Sequence, residues 1–367
     1  MKKNQNQNEP NFRRTLINDI KQGGFKRTIR QDLNEITRFY LDSRTLKRLE
    51  SMGRIRRWFA KWFWIIKSLI LKLTPVRRVL LVFSLILTFG QSRFELGGGH
   101  VSTDLRPFAY FIMLFILMLE LKDKLLARDE LAVGRAVQSA LLPRDNPLWA
   151  GWDIWMVTRP ANEVGGDLVD YLETEDSLYL FLGDVAGKGL GAALLMSKLQ
   201  ATLRAVTPGE PSLGALGVKM NHIFRRDGLP SRFVSLITLA IGRRESRVRF
   251  LNAGHMPPLL LRSGRVRELP SGHAALGILP DAEYEEQILN LHKGDWILIY
   301  SDGLTEARAD SGEFFGEERL FSLLKDSGFQ SACEMGNAIL ETIGRFIGSS
   351  RPSDDLSMIL LHYTGSP

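Results

Sequence analysis

Phe233-Val-Ser-Leu-Ile-Thr-Leu-Ala-Ile241, Arg247-Val-Arg-Phe-Leu-Asn252, Pro258-Leu-Leu-Leu-Arg262, Glu285-Glu-Gln-Ile-Leu-Asn290 and Trp296-Ile-Leu-Ile-Tyr300 follow one another with no helical pattern between them. Each is a strand-length run rich in β-branched or apolar residues, and Gly, Pro, Asn and Asp punctuate the boundaries. Strands joined in succession pair antiparallel, whereas a doubly wound parallel sheet needs a helix between each pair. On either side lie further strand patterns near 153–158, 168–172, 177–183 and 356–363, and helical patterns near 189–206, 212–226, 317–325 and 331–347. The expectation is an α+β domain over residues 144–367, with antiparallel sheets and helices packed outside them.

Four aspartates border these runs. Asp184 ends Ser177-Leu-Tyr-Leu-Phe-Leu-Gly183, Asp302 ends Trp296-Ile-Leu-Ile-Tyr-Ser301, and Asp354-Asp355 opens Leu356-Ser-Met-Ile-Leu-Leu361. Asp167 closes Gly165-Gly-Asp. A sheet that gathers them at one end makes an all-oxygen site of the kind hard divalent cations prefer, and metal-assisted hydrolysis is the leading chemistry. Taken singly, an aspartate before glycine at a strand end is a turn or cap residue. The single cysteine, Cys333, falls in a helical pattern and excludes a disulfide framework or a thiolate zinc cage. Gly187-Lys-Gly189 opens a helix, but it meets neither the Walker A spacing nor the dinucleotide fingerprint.

The net charge of +7 hides an asymmetry: residues 1–78 hold 20 Lys/Arg against 6 Asp/Glu, or +14, and the remainder 28 against 35, or −7. Apolar runs from Val79 to Gly90 and from Phe108 to Leu119 follow that basic region. With their flanks they approach the lower limit of about 17 residues for a spanning helix, so residues 79–121 are expected to form a two-helix membrane hairpin. Arg77-Arg78 before the first run and Lys122, Lys124 and Arg128 after the second place both ends in the cytoplasm. The expected location is therefore an inner or cell membrane, multi-pass with two helices, with the C-terminal domain cytoplasmic. Arg54 to Leu73 interleaves Trp58, Trp62, Phe63, Trp64, Ile66 and Leu69 with Arg and Lys, as an interfacial amphipathic helix does. The same mixture suits a nucleic-acid surface, but it leads into apolar runs, and no nucleic-acid partner is expected. No cleavable signal peptide is visible. Residues 122–143 read as a linker helix stopped by Pro143, with Leu121, Leu125, Ala132, Ala136 and Leu142 as one apolar face. Pairing with a second copy, as a homodimer, and packing on its own domain both remain open for that helix.

Six motifs occur in order: Ala136-Val-Gln-Ser-Ala-Leu-Leu-Pro143, Pro160-Ala-Asn-Glu-Val-Gly-Gly-Asp167, Gly183-Asp-Val-Ala-Gly-Lys-Gly189, Asn252-Ala-Gly-His-Met-Pro-Pro258, Tyr300-Ser-Asp-Gly-Leu-Thr-Glu306 and Asp354-Asp-Leu-Ser357. Together they resemble the SpoIIE-like branch of the metal-dependent PPM protein phosphatases, over about residues 130–363. The resemblance implies an α-β-β-α sandwich and a site for two Mn²⁺ or Mg²⁺ ions. Asp184 would bridge the ions with help from the Val185 carbonyl, Asp302 and Asp354 would each complete one shell, and Asp167 would act directly or through water. Asp184, Asp302 and Asp354 are thus the expected catalytic residues, and a metal-activated water the nucleophile. The implied substrate is phosphoserine or phosphothreonine on a regulatory protein, a STAS-type anti-sigma-factor antagonist, and control would pass through the helix ending at Leu141-Leu142-Pro143. Lys188 stands where many relatives carry His and others Lys. His255 reads as a turn residue rather than a ligand, since no second His is placed to pair with it. The alternative is a non-catalytic phosphoprotein-binding scaffold of the same fold, against which the four aspartates argue.

Overall fold

The computed structural model describes residues 51–89, 93–96, 99–102, 104–227, 232–325, 328–348 and 352–365, with Thr37, Leu41, Thr45, Arg48 and Leu49. Most of the expected basic region before residue 51, and the Gly97-Gly98 part of the connection between the apolar runs, lie outside the described residues. The chain divides into two compact units, Met1–Leu125 and Leu126–Pro367.

In the first unit, helix α1 (Arg54–Lys72) is followed by α2 (Pro75–Phe89), whose leading proline suits a first helical turn because its missing N–H has no partner there to lose. Arg78 reaches back and donates from Nε to the Ile70 carbonyl at 3.1 Å and from its terminal nitrogen to those of Leu71 and Leu73 at 2.9 and 3.1 Å. The Leu71 and Leu73 carbonyls at the end of α1 are thereby satisfied, and that of Ile70, which also accepts the Leu73 N–H at 3.3 Å, gains a second donor. Strands β1 (Arg93–Leu96) and β2 (Gly99–Ser102) pair antiparallel and lead to α3 (Arg106–Leu141). Arg77 ties α2 to α3 through Glu120 at 2.7 Å and Asp123 at 2.6 Å.

The expected two-helix hairpin is not supported: among the described residues no helix is long and apolar enough to cross a membrane. The 15 residues of α2 rise only about 22 Å against a hydrocarbon core of about 30 Å. Helix α3 has the length, at 36 residues, but its apolar stretch runs into Glu120, Lys122, Asp123 and Lys124. The second apolar run and the linker helix are one continuous α-helix, because the change from lipid-like to charged composition at residue 120 leaves helix propensity intact.

The second unit is a sandwich. Its strands are β3 (Trp152–Arg159), β4 (Leu168–Glu173), β5 (Ser177–Val185), β6 (Val234–Gly242), β7 (Arg247–Ala253), β8 (Leu259–Arg262), β9 (Arg265–Glu268), β10 (Gln287–Asn290), β11 (Trp296–Tyr300) and β12 (Leu356–Tyr363). They form two sheets, ordered β10-β7-β6-β5-β4 and β3-β12-β11-β8-β9, in which every strand pairing is antiparallel. Helices α4 (Leu190–Val206) and α5 (Leu213–Asp227) cover the first sheet, α6 (Asp302–Thr305) is a single turn, and α7 (Gly316–Lys325) and α8 (Ala332–Ile347) cover the second. Period-two alternation splits each strand between two cores. Leu178, Leu180 and Leu182 of β5 and Ile359 and Leu361 of β12 meet between the sheets, whereas Phe181 and Val185, and Met358 and Leu360, face the helices. Both faces of each sheet are covered, so β6 is buried from Val234 to Ile241 and β11 along its whole length rather than on alternate residues, and the α-β-β-α arrangement holds.

Helix α3 ends within the second unit, and the residues it buries there are mostly not those of the expected apolar face, of which only Leu142 is half-buried. Leu131 and Gly134 are half-buried and Gln138 is buried, whereas Leu125, Ala132 and Ala136 are exposed.

Candidate metal centre

The antiparallel register brings the acidic loops to one end of the sandwich. Leu168 pairs with Gly183, so Asp167, one step before β4, stands beside Asp184, the penultimate residue of β5. On the other sheet, β11 and β12 are neighbours, and Asp302, just past β11, adjoins the Asp354-Asp355 turn before β12. The two sheets are joined here by Asp355. Its Oδ1 accepts the Ala161 N–H at 2.8 Å and its Oδ2 the Gly166 N–H at 2.6 Å, which fixes the loop carrying Asp167 against the second sheet. A hydrogen bond between the Thr158 and Ser357 hydroxyls, 2.8 Å, lies beside it.

Two glycines sit at close approaches, tight at Gly166 and prohibitive at Gly303. A methyl group on Gly166 would sit 3.2 Å from the Val185 carbonyl and 3.7 Å from Asp184 Oδ1, and one on Gly303 would collide with the Asp355 carbonyl. Gly-Gly-Asp and Ser-Asp-Gly are therefore close-packed contacts as well as turns.

The carboxylates disturb one another. Burial, and then the charge of Asp184, hold the Asp167 carboxyl well above the usual range, although the hydroxyls of Ser357 and Ser301 pull it back. Asp184 is pushed up to about 6, first by burial and then by the charges of Asp302, Asp354 and Asp355. Asp302 is raised by burial, with Asp354 and Glu306 adding to the effect. Asp167 Oδ2 is buried and has no hydrogen-bond partner. Lys188 donates to Asp354 Oδ2 at 2.8 Å and to the Ser353 carbonyl at 2.9 Å, and this pairing raises its own pKa. Among the described residues no three Asp, Glu, His or Cys side chains stand close enough to hold one ion between them. That arrangement still suits Mg²⁺, which keeps several of its waters and takes only one or two carboxylates. An orphaned buried oxygen, repelling carboxylates and an all-oxygen donor set fit a hard divalent cation.

His255 is placed as a turn residue. Its Nε2 donates to the Tyr300 carbonyl at 3.1 Å, so its bare Nδ1 accepts the Ser235 hydroxyl at 2.9 Å. Asn252 holds the turn, accepting the His255 N–H at 2.7 Å and donating to the His255 carbonyl at 3.0 Å. Burial lowers the imidazole pKa to about 4, so the ring is neutral near pH 7.

The sequence reading missed Gln138. Its amide is buried at the end of α3, donates to the Gly165 carbonyl at 2.7 Å and accepts the Gly165 N–H at 3.0 Å, two residues from Asp167. The signal was an amide side chain inside the mostly apolar Ala136-to-Pro143 motif. Arg232 was missed as well. It donates to the Ala186 carbonyl at 3.1 Å, and its guanidinium lies against Gly187 and Gly191. A cavity of about 230 Å³ opens beside Asp354, walled by Arg159, Leu340, Ile343, Ile347 and Leu356.

Two antiparallel sheets between helices, with carboxylates from both sheets meeting at one end, define a PP2C-like domain. The solved SiaA-PP2C domain of Pseudomonas aeruginosa shares that fold at 22% identity and a TM-score of 0.56, over 66% of this chain and 98% of its own. Residues 174–364, more than half of the chain, match the family described as Stage II sporulation protein E (SpoIIE), and the chain belongs to that family. Among curated relatives, Protein IcfG of Synechocystis sp. is 29% identical over 272 residues, 66% of this chain and 43% of IcfG. Phosphoserine phosphatase RsbU of Bacillus subtilis is 25% identical over 236 residues, 64% of this chain and 70% of RsbU. The chain thus spans less than half the length of IcfG.

Proposed function

We propose that this chain is a divalent-cation-dependent serine/threonine protein phosphatase, acting on phosphoserine or phosphothreonine of a regulatory protein. The observation that carries the reading is the convergence of mutually repelling aspartates from both sheets, Asp167 buried with one oxygen unsatisfied and Asp184, Asp302 and Asp354 half-buried. Asp184 with the Val185 carbonyl, Asp302, Asp354 and Asp167 would hold two Mn²⁺ or Mg²⁺ ions. Ions bound there would activate a water for attack on phosphorus and offset charge on the phosphoryl oxygens. The chain's own part is positioning. Asp355 and Gln138 fix the loop bearing Asp167, and the apolar cavity beside Asp354 offers room for residues flanking a phosphorylated side chain, which favours a polypeptide substrate. Membership of the SpoIIE family and the likeness to a phosphoserine phosphatase support the same reading. By the family resemblance, an anti-sigma-factor antagonist is the substrate class to test first.

The test is phosphate release from a phosphoserine peptide by the full chain, with Mn²⁺ and with chelator, beside Asp184→Asn. Turnover should need the cation and fall at least roughly a hundredfold in the variant. Turnover that survives chelation, or an equally active variant, contradicts the reading.

A further inference from the structure

Helix α1 exposes an apolar face far larger than a solvated helix needs. Ile55, Trp58, Phe59, Phe63, Ile66 and Leu69 are all exposed, and at 100° per residue they fall within an arc of about 140°. Arg56 and Lys67 flank one edge of that arc, and Arg54, Lys61 and Lys72 lie beyond the other. The helix holds six Lys/Arg and no Asp or Glu among its 19 residues. We propose that this face lies in the headgroup layer of an anionic membrane, with its aromatic rings among the acyl-chain ends and its cations against lipid phosphates.

The charge pattern selects that occupant. A second copy seated on the same face would bring like charges together with no acid between them, which is repulsive. A lipid surface instead supplies an apolar layer beneath a negative one, matching the two zones of the helix. Trp and Phe with flanking Lys and Arg are the side chains that settle at such a boundary. No helix has to cross the bilayer for this attachment, and it stands independently of the phosphatase reading.

The test is flotation of the full chain with vesicles of phosphatidylcholine alone and of phosphatidylcholine with about one third phosphatidylglycerol. The chain should partition into the anionic vesicles roughly tenfold better than into the neutral ones at low salt, and the difference should shrink as salt rises. Phe59 and Phe63 are 64% and 63% exposed, so the double variant Phe59→Ser/Phe63→Ser keeps its fold, checked by far-UV circular dichroism, and should lose roughly tenfold in partitioning. Arg56→Glu/Lys67→Glu, which leaves the apolar arc intact, should abolish the preference for anionic vesicles. Equal recovery with neutral vesicles, no recovery with either, or a folded Phe59→Ser/Phe63→Ser variant that binds as before overturns the proposal. So does a dimer in sedimentation equilibrium that the same variant dissolves, or a single-stranded oligonucleotide that displaces the vesicles.

Discussion

Burial and the charges of Asp302, Asp354 and Asp355 raise Asp184 from an ordinary value near 3.8 to about 6. The stability tied to its proton is therefore fully present below about pH 4 and is lost as pH rises through about 6. In chelator, Asp184→Asn should melt above the wild type at about pH 8, and the gap should close by about pH 4. A variant less stable at the higher pH, or a constant gap, contradicts the electrostatic account. Lys188 offsets part of this negative field from a partly exposed position on Asp354. Lys188→Met should lower the Mn²⁺ concentration for half-maximal thermal stabilisation several-fold, and the effect should weaken in salt. A rise in that concentration would mean that Lys188 helps to build the site rather than competes for it. The aspartates stood out in the sequence because each borders an apolar run, three of them beside glycine and Asp354 in an Asp-Asp pair. The hydroxyls of Ser301 and Ser357 near Asp167 were not, since their placement depends on pairing β11 with β12.

At the scale of elements, the end of α3 and the turn before β12 grip one loop from opposite sides. Gln138 holds Gly165 and Asp355 holds Ala161 and Gly166. Gln138→Ala strands both polar groups of Gly165 in a buried position and should cost about 1–3 kcal/mol in denaturant unfolding. A loss within error of zero would show that the loop is held otherwise. The strands over 233–300 were readable because their runs are long, apolar and bounded by turn residues. Strand β9 was not, because it is a four-residue, largely exposed strand, Arg-Val-Arg-Glu, at the edge of its sheet, and pairing with β8 rather than any pattern makes it a strand. The division expected between residues 121 and 122 is one of composition and not a break in the helix. Composition marks where the environment of a helix changes, and α3 runs through that change.

For the whole molecule, the contrast between the units carries a prediction. The second unit has three large buried cores, whereas the first has one small described cluster around Leu41, Leu49 and Ile65. Calorimetry should resolve two transitions, and Mn²⁺ should raise only one of them, since a cation stabilises the unit that binds it. A single transition, or equal shifts in two, contradicts that division. The central claim is that aspartates from both sheets form one metal centre, and anomalous scattering at the manganese edge from crystals grown with Mn²⁺ tests it most directly. Two peaks are expected beside Asp184, one towards Asp302 and one towards Asp354, and both should be lost in Asp184→Asn. No peak at this end of the sandwich, or peaks that persist in the variant, would contradict it.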